Sequence, residues 1–219
     1  MAQRTPIIAP SLLCADFAEI QHALDQIKSA GARWMHFDIM DGHFVPNLVF
    51  SPKAIHDIRP RTDLFLDVHL MTERPEQYVE ALSSAGANCV TFHIEACIHA
   101  HGLAQRIRSL GCEVGVSLVP STPVAAIAEL LPKVDQVLLM SVNPGFDDEV
   151  FIPDSLARIA ELAQRRNAGA GDYRIVVDGG VTRDIAGDVS MAGADVIVVG
   201  RAFFTAADKS AEIAALLER

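Results

Sequence analysis

The feature that most limits the fold of this 219-residue chain is a regular alternation of two hydrophobic patterns along its length. Short runs rich in β-branched and aromatic residues, typical of buried strands, alternate with longer Ala-rich amphipathic runs typical of helices. The strand pattern occurs at Ile7–Ser11, Trp34–Met40, Phe65–Leu70, Cys89–His93, Glu113–Leu118, Gln136–Met140, Arg174–Asp178 and Val196–Val199. The helix pattern occurs at Glu19–Ala30, Pro52–Arg59, Pro75–Ala85, Ala100–Leu110, Pro123–Leu130, Asp154–Asn167, Arg183–Ala192 and Ala207–Leu217.

Eight strand–helix units of about 27 residues each predict an α/β fold, the (β/α)8 or TIM barrel, as a single domain over residues 1–219. No linker or low-complexity stretch marks a boundary within the chain. The alternative architecture is an open doubly wound sheet, which more often has roughly five to seven strands and carries G-x-G-x-x-G after the first one. That motif is missing here, so the barrel is the predicted fold.

The charge balance limits the partners that the chain can have. It has 18 Lys and Arg against 28 Asp and Glu, a net charge of −10, so binding to nucleic acid or to anionic lipid is not expected. The first residues are too few and too polar for a signal peptide, and apolar runs such as Val196–Val199 are far shorter than the roughly 20 residues of a membrane span. The four cysteines form no C-x-x-C pair. We expect a cytoplasmic protein that forms a homo-oligomer.

Four residues of metal-binding types stand at or near the ends of three predicted strands. Alternation along the second strand points His36 and Asp38 into the barrel, the same parity points His69 inward from the third, and Asp178 ends the seventh. Active sites of this fold lie at the C-terminal ends of the strands. Two imidazoles and two carboxylates there predict a site for one divalent metal ion per chain, Zn²⁺, Fe²⁺, Mn²⁺ or Co²⁺. Taken singly, each residue could instead cap a loop.

Two other polar residues, Asp67 and His93, lie on the third and fourth predicted strands. We interpret both as structural polar residues, with contact to the metal ligands as the alternative.

Glycine-rich turns follow the sixth, seventh and eighth predicted strands. They are Asn143-Pro144-Gly145-Phe146, Gly179-Gly180-Val181 and Gly200-Arg201. Glycine lets backbone N–H groups close around an anion, and the turns after strands seven and eight often bind phosphate in this fold. The turns therefore predict a phosphorylated ligand. The methionines at or just past strand ends, Met40, Met71 and Met140, are either core residues or an apolar ring around a planar intermediate.

Several segments resemble the D-ribulose-5-phosphate 3-epimerase family. They are Ala9-Pro10-Ser11-Leu12-Leu13-Cys14-Ala15-Asp16-Phe17, His36 through Asn47, His69-Leu70-Met71, Val142-Asn143-Pro144-Gly145-Phe146 and Val177-Asp178-Gly179-Gly180. The resemblance implies an isomerase that acts on a phosphorylated ketose of pentose phosphate metabolism. It also implies that the two histidines and two aspartates named above bind metal, that Asp38 and Asp178 form the acid–base pair, and that Ser11 lies near the reacting groups.

The resemblance further implies that phosphate is bound by the Gly179-Gly180 and Gly200-Arg201 amides and by the loop after the sixth strand. In that loop the family usually continues Pro-Gly-Phe with two glycines and a glutamine, whereas this chain has Asp147-Asp148-Glu149. Carboxylates beside a phosphate are electrostatically unfavourable. A related epimerase that acts on allulose 6-phosphate or on a tetrulose phosphate therefore remains an alternative.

The chemistry itself requires two groups on opposite faces of a carbon next to a ketone, one to remove its proton and one to return a proton to the other face. Asp38 and Asp178 suit these roles. A decarboxylase or aldolase on the same barrel is a rival, but the stretch Asp67–Thr72 lacks the lysine of Asp-x-Lys-x-x-Asp. A non-catalytic sugar-phosphate binder is the second rival, and a complete metal set argues against it.

Overall fold

A computed structural model describes residues 5–145 and 150–218. The strands in these ranges are β1 (Ile7–Pro10), β2 (Trp34–Asp41), β3 (Leu48–Val49), β4 (Phe65–Met71), β5 (Cys89–His93), β6 (Glu113–Leu118), β7 (Gln136–Met140), β8 (Arg174–Asp178) and β9 (Val196–Val199). The α-helices there are α1 (Ile20–Ser29), α2 (Pro52–Ile58), α3 (Val79–Ala85), α4 (Ala100–Ser109), α5 (Ser155–Asn167), α6 (Arg183–Ala192), α7 (Arg201–Thr205) and α8 (Lys209–Leu217).

All strands except β3 are parallel and follow one another around a barrel. The order is β1-β9-β8-β7-β6-β5-β4-β2-β3, and β3 is antiparallel to β2. Within the described ranges, β1 and β2 close the barrel through an isolated parallel bridge between Ser11 and His36. The predicted (β/α)8 barrel is confirmed.

Strand alternation separates the outer layer of the barrel from its interior. Phe37 and Ile39 of β2 face outward and belong to the same buried cluster as Leu24 and Ile27 of α1. A second buried cluster consists of residues with the opposite parity on their strands: Ala9, Trp34, Leu138, Met140, Val142, Val176, Val196 and Val198. With the interior closed by these apolar side chains, the polar ends of the strands lie at one mouth of the barrel.

The predicted helix at Pro123–Leu130 is wrong. The segment instead contains a 3-10 helix at Val124–Ile127, and another follows at Leu131–Lys133. Pro132 lacks an N–H and cannot continue a helical hydrogen-bond pattern, which keeps these helical turns short. Two elements, β3 and α7, were not expected from the sequence pattern, because each has at most five residues.

In the described part of the chain, no helix combines the length and the apolarity needed to cross a membrane.

Candidate active site

The structure brings together four side chains at the C-terminal ends of three strands. One ligand atom from each of His36, Asp38, His69 and Asp178 can be chosen so that all four lie within 4.8 Å of one another. Asp38 Oδ1 lies 3.3 Å from His36 Nε2 and 3.2 Å from His69 Nδ1. Asp178 Oδ2 lies 3.7 Å from His36 Nε2 and 3.6 Å from His69 Nδ1. The two carboxylates thus flank the same pair of imidazole nitrogens.

These distances fit a small divalent metal ion. Metal–ligand bonds of about 2.0–2.2 Å place tetrahedral ligand atoms roughly 3.3–3.6 Å apart. His36 Nε2 is buried and makes no hydrogen bond within the described residues, although it faces both carboxylates. A buried polar nitrogen without a hydrogen-bond partner is costly, and coordination to a metal ion would satisfy it. The cluster could therefore hold a divalent cation.

The charges within the cluster shift its pKa values. Burial disfavours a charged His36, but the nearby carboxylates of Asp38 and Asp67 outweigh it and raise the pKa of His36 well above the ordinary value. Burial likewise disfavours the Asp38 carboxylate, yet His36 and His69 hold the pKa of Asp38 far below its usual range. The pKa of His69 is raised because hydrogen bonds to Asp178 and Asp38 exceed the effect of burial. The same negative charge that favours protons here also favours a metal cation, whose binding would release these protons.

His36 is held from behind by a carboxylate of β4. Its Nδ1 lies 2.9 Å from Asp67 Oδ2, and both side chains are completely buried. The other oxygen of Asp67 accepts a hydrogen bond from Gln136 Nε2 at 2.7 Å, and the same nitrogen donates to Thr91 Oγ1 at 2.8 Å. His36 Nδ1 is thus directed at Asp67, and Nε2 is the ring nitrogen that faces the cluster and is placed to bind a metal.

His69 is held by another imidazole. Its Nε2 lies 2.9 Å from His93 Nε2, and His93 Nδ1 lies 3.1 Å from Glu95 Oε2. Burial lowers the pKa of His93 to about 4, although its hydrogen bond to Glu95 acts in the opposite direction. Burial raises the pKa of Glu95, but hydrogen bonds from His93, Thr122 and Val119 outweigh it and lower the pKa to about 2. A neutral imidazole and an ionised carboxylate thus lie behind His69.

Ser11 connects the cluster to β1. Its hydroxyl donates to Asp38 Oδ2 at 2.6 Å, and the same oxygen accepts from the Leu13 N–H at 3.2 Å. Both Ser11 and Asp38 are buried. The hydrogen bond orients Asp38 so that its other oxygen faces the two imidazoles.

A cavity of about 320 Å³ opens above the cluster. The predicted site residues that line it are Ser11, Asp38, Met40, Met71, Met140, Gly145, Asp178, Gly179, Gly180, Gly200 and Arg201. His36 and His69 do not line it and are completely buried. The predicted contacts Phe146, Asp147 and Asp148 lie outside the described residues.

The turn after β8 is tightly constrained at the wall of this cavity. The Ser141 hydroxyl lies 2.9 Å from the Asp178 carbonyl oxygen and 2.6 Å from that of Gly179, and the Ser141 N–H donates to the Asp178 carbonyl oxygen at 2.8 Å. Gly180 has a φ of +65°, and a Cβ built on it would lie 2.5 Å from the Phe151 nitrogen. Glycine is therefore required by both conformation and space.

A larger cavity, of about 940 Å³, lies at the opposite end of the strands. Two ion pairs lie at its wall: Arg174 with Glu113, and Arg166 with Asp195. Activity in this fold is found at the other end of the strands, so these ion pairs suit a stabilising role. The smaller cavity, over the His and Asp cluster, is therefore the candidate active site.

Sequence reasoning missed Glu95 and Gln136. Gln136 begins β7 and has inward parity with Leu138 and Met140, so alternation along the strand was a signal for it. Glu95 follows the last residue of β5 in a short 3-10 helix, and no periodic pattern predicts where its carboxylate points. The alternative that Asp67 and His93 contact the other site histidines agrees with the structure.

The fold and the cluster define a class, the (β/α)8 barrels with a polar, metal-competent centre at the C-terminal ends of the strands. Solved structures of the same fold include KGPDC from Streptococcus mutans, with a TM-score of 0.69 and 15% identity over 97% of this chain and 96% of that one. Orotidine 5'-phosphate decarboxylase from Pyrococcus horikoshii OT3 has a TM-score of 0.67 and 17% identity over 96% of this chain and 97% of that one. At this identity the likeness concerns the fold alone.

The sequence comparisons are more specific. The sequence profile described as "Ribulose-phosphate 3 epimerase family" matches residues 7–204. Proteins named ribulose-phosphate 3-epimerase are 49% identical in Treponema pallidum (strain Nichols), over 93% of both chains, and 43% identical in Bacillus subtilis (strain 168), over 94% of this chain and 95% of that one. The chain belongs to the ribulose-phosphate 3-epimerase family and is a carbohydrate epimerase, as the sequence motifs predicted.

Proposed function

We propose that this protein interconverts D-ribulose 5-phosphate and D-xylulose 5-phosphate by inverting the third carbon of the ketose. The observation that carries the proposal is the pair of carboxylates, Asp38 and Asp178, that flank two imidazole nitrogens and line one cavity. The names of the relatives, at up to 49% identity in the sequences compared above, support the choice of substrate.

His36, Asp38, His69 and Asp178 would hold one divalent ion per chain, of which Zn²⁺, Fe²⁺, Mn²⁺ and Co²⁺ suit the donors. When bound, such an ion polarises a ketone oxygen and stabilises negative charge that develops on it. Asp67 and His93 keep the two imidazoles oriented toward it.

Asp38 and Asp178 act as the proton carriers. They project from β2 and β8, which lie on either side of β1 and β9 in the barrel, so they approach a bound ketose from different directions. One carboxylate removes the proton from the third carbon, and the other, protonated, delivers a proton to the opposite face. The planar enediolate between these steps would lie against the Met40, Met71 and Met140 side chains, which line the cavity and exclude water.

The turns that contain Gly179, Gly180, Gly200 and Arg201 bind the phosphate through backbone amides, and the loop of Gly145 and Phe146 completes the site. All but Phe146 lie in the described residues and line the cavity. Backbone amides attract an anion locally, so the net charge of −10 does not prevent phosphate binding.

A coupled assay across phosphorylated ketoses of four, five and six carbons tests the substrate. We expect the highest kcat/KM with D-ribulose 5-phosphate. A higher value with allulose 6-phosphate or with a tetrulose phosphate would assign the protein to a related phosphoketose epimerase. Absence of turnover with tight sugar-phosphate binding would instead indicate a non-catalytic barrel.

We further infer that one barrel carries out the whole reaction, in the cytoplasm and in a homo-oligomer without nucleic-acid or membrane partners. The acidic composition supports the absence of nucleic-acid and membrane partners, and the strand–helix alternation supports a single barrel. Light scattering of the purified protein measures the oligomeric state, and a monomeric mass would contradict it.

A further inference from the structure

The hydrogen bonds behind His69 end at a carboxylate that cannot reach the metal site itself. His69 Nε2 contacts His93 Nε2 at 2.9 Å, and His93 Nδ1 contacts Glu95 Oε2 at 3.1 Å. The second oxygen of Glu95 accepts the Val119 N–H at 2.9 Å. Three side chains therefore form a line that leads from the cluster to the first residue after β6.

Each contact along this line needs one hydrogen, which lies between two heavy atoms. An ionised carboxylate has only lone pairs to offer, so the proton between His93 and Glu95 lies on His93 Nδ1. A neutral His93 then presents a lone pair at Nε2, and the proton between the two rings lies on His69 Nε2. In the neutral His69 that a metal ligand requires, the remaining nitrogen, Nδ1, carries the lone pair, and it lies 3.2 Å from Asp38 Oδ1 and 3.6 Å from Asp178 Oδ2.

We propose that Glu95 is a positioning residue that sets the tautomer of His69 through His93 and so keeps His69 Nδ1 available as a metal ligand. With the opposite proton order, His93 would donate to His69 Nε2, the proton of His69 would occupy Nδ1, and the metal would lose one of four ligands. This inference rests on the metal site of the proposed function.

The surroundings of the line hold it in place. The Phe44 ring packs on His93, with ring centroids 4.6 Å apart, and His93 is completely buried. Arg158 Nη2 donates to the carbonyl oxygens of Val119 at 3.0 Å and Thr122 at 2.9 Å, the two residues whose groups donate to Glu95. Glu95 thus accepts from a loop that is itself fixed to α5, and its carboxylate has little freedom to turn away.

His36 is oriented by a different device, a direct carboxylate contact from Asp67. Because a neutral imidazole, that of His93, lies between His69 and Glu95, the proton positions on His93 determine which nitrogen of His69 is protonated. His36 contacts its carboxylate directly and has no such dependence. The proposal can therefore be tested with variants at Glu95 and His93 that permit the opposite proton positions and leave all four metal ligands in place.

The first experiment measures Zn²⁺ affinity by competition with a chromophoric chelator, in the absence of substrate. Glu95→Gln lets an amide N–H face His93 Nδ1 and permits the wrong tautomer, so we expect the affinity to fall roughly 10–100-fold. Glu212→Gln is the control, because Glu212 is likewise a glutamate whose carboxylate accepts hydrogen bonds from one side chain, that of Arg183, and it lies on α8. We expect the control to leave Zn²⁺ affinity unchanged.

Two further variants separate proton order from packing. In His93→Gln the amide oxygen can take the place of Nε2 and accept from His69, so Zn²⁺ affinity should stay within a few-fold of the parent. Glu95→Gln should then have no added effect in the His93→Gln background, because the imidazole that transmits it is gone. An equal loss in both backgrounds would mean that Glu95 acts only through the fold, and it would overturn the proposal.

Long-range ¹H–¹⁵N spectra of the Zn²⁺-loaded wild-type protein provide a measurement that needs no stable variant. We expect His93 protonated at Nδ1 and His69 protonated at Nε2. A proton on His93 Nε2 would refute the assignment. If the wild-type protein binds no Zn²⁺, the metal site of the proposed function fails; if it binds Zn²⁺ with the opposite tautomers, only the present inference fails.

Discussion

Replacing Gly180 with alanine should weaken binding of the phosphorylated substrate far more than it slows the chemistry. The new methyl group would lie 2.5 Å from the Phe151 backbone nitrogen, closer than real side-chain carbons approach, and a backbone atom cannot give way as a flexible side chain can. The turn after β8 must therefore move. Because we place the phosphate on this turn, the displacement should appear in KM.

The expected magnitude has two parts. The φ of +65° costs a non-glycine residue about 1–2 kcal/mol, which lowers stability wherever such a glycine is replaced. Gly111→Ala isolates this part, because Gly111 has a φ of +88° and no atom within 4 Å of its Cβ position. The displacement of the turn adds to it: misplacing a binding group by about 1 Å can cost up to roughly 100-fold. We expect KM to rise about 10–100-fold in Gly180→Ala, with kcat within several-fold.

Steady-state kinetics with D-ribulose 5-phosphate and the inhibition constant of inorganic phosphate provide the measurement, with Zn²⁺ stoichiometry as a check on the cluster. In Gly111→Ala we expect a lower melting temperature and unchanged KM. If Gly180→Ala keeps the parental KM and phosphate inhibition while it loses as much stability as Gly111→Ala, the turn does not bind phosphate.

Three other perturbations test the remaining parts of the site. Asp38→Asn and Asp178→Asn should each lower kcat beyond the roughly 10²–10⁴-fold typical of one acid–base group, because each also removes a metal ligand; a variant that keeps more than about a tenth of kcat with metal bound, about 1.4 kcal/mol in barrier, does not carry a proton. Exhaustive chelation should abolish turnover and added Zn²⁺, Mn²⁺, Fe²⁺ or Co²⁺ should restore it, whereas full activity in protein shown by elemental analysis to be metal-free would refute metal dependence. Asp147→Gly combined with Asp148→Gly should lower KM several-fold and weaken its dependence on ionic strength, because two carboxylates are removed from the loop assigned to phosphate; weaker phosphosugar binding in the double variant would make the acidic loop a specificity element.

The strands could be predicted because each is short, apolar and bounded by turn residues. Arg174–Asp178 is an example: its central residues are buried on both faces, and the glycines that follow end it. The segment Pro123–Leu130 shows the limit, since its apolar spacing suits a helix while the proline at 132 and tertiary packing leave only 3-10 turns. Hydrophobic periodicity indicates which face of a segment is buried, but it does not determine whether the segment forms α-helical or 3-10 hydrogen bonds.

For the candidate site, parity along single strands was sufficient to bring His36, Asp38 and His69 to one interior. Parity could not predict which side chain contacts each imidazole ring, because these contacts depend on the register between neighbouring strands. In the register of β2 and β4, His36 stands opposite Asp67 and Asp38 opposite His69. The position of Glu95 depends on a loop conformation that has no sequence period.

The bridge between Ser11 and His36 has a consequence for how the barrel opens. Neighbouring parallel strands elsewhere in the barrel share ladders, whereas in the described residues β1 and β2 share this isolated bridge and the Ser11–Asp38 hydrogen bond. The boundary between β1 and β2 is therefore where local opening should separate strands at the lowest free-energy cost. His36 and Asp38 lie on β2, at one side of this boundary, so a cation bound to the cluster would oppose its opening. The cation should slow amide hydrogen exchange in β1 and β2 more than in β6 and β7.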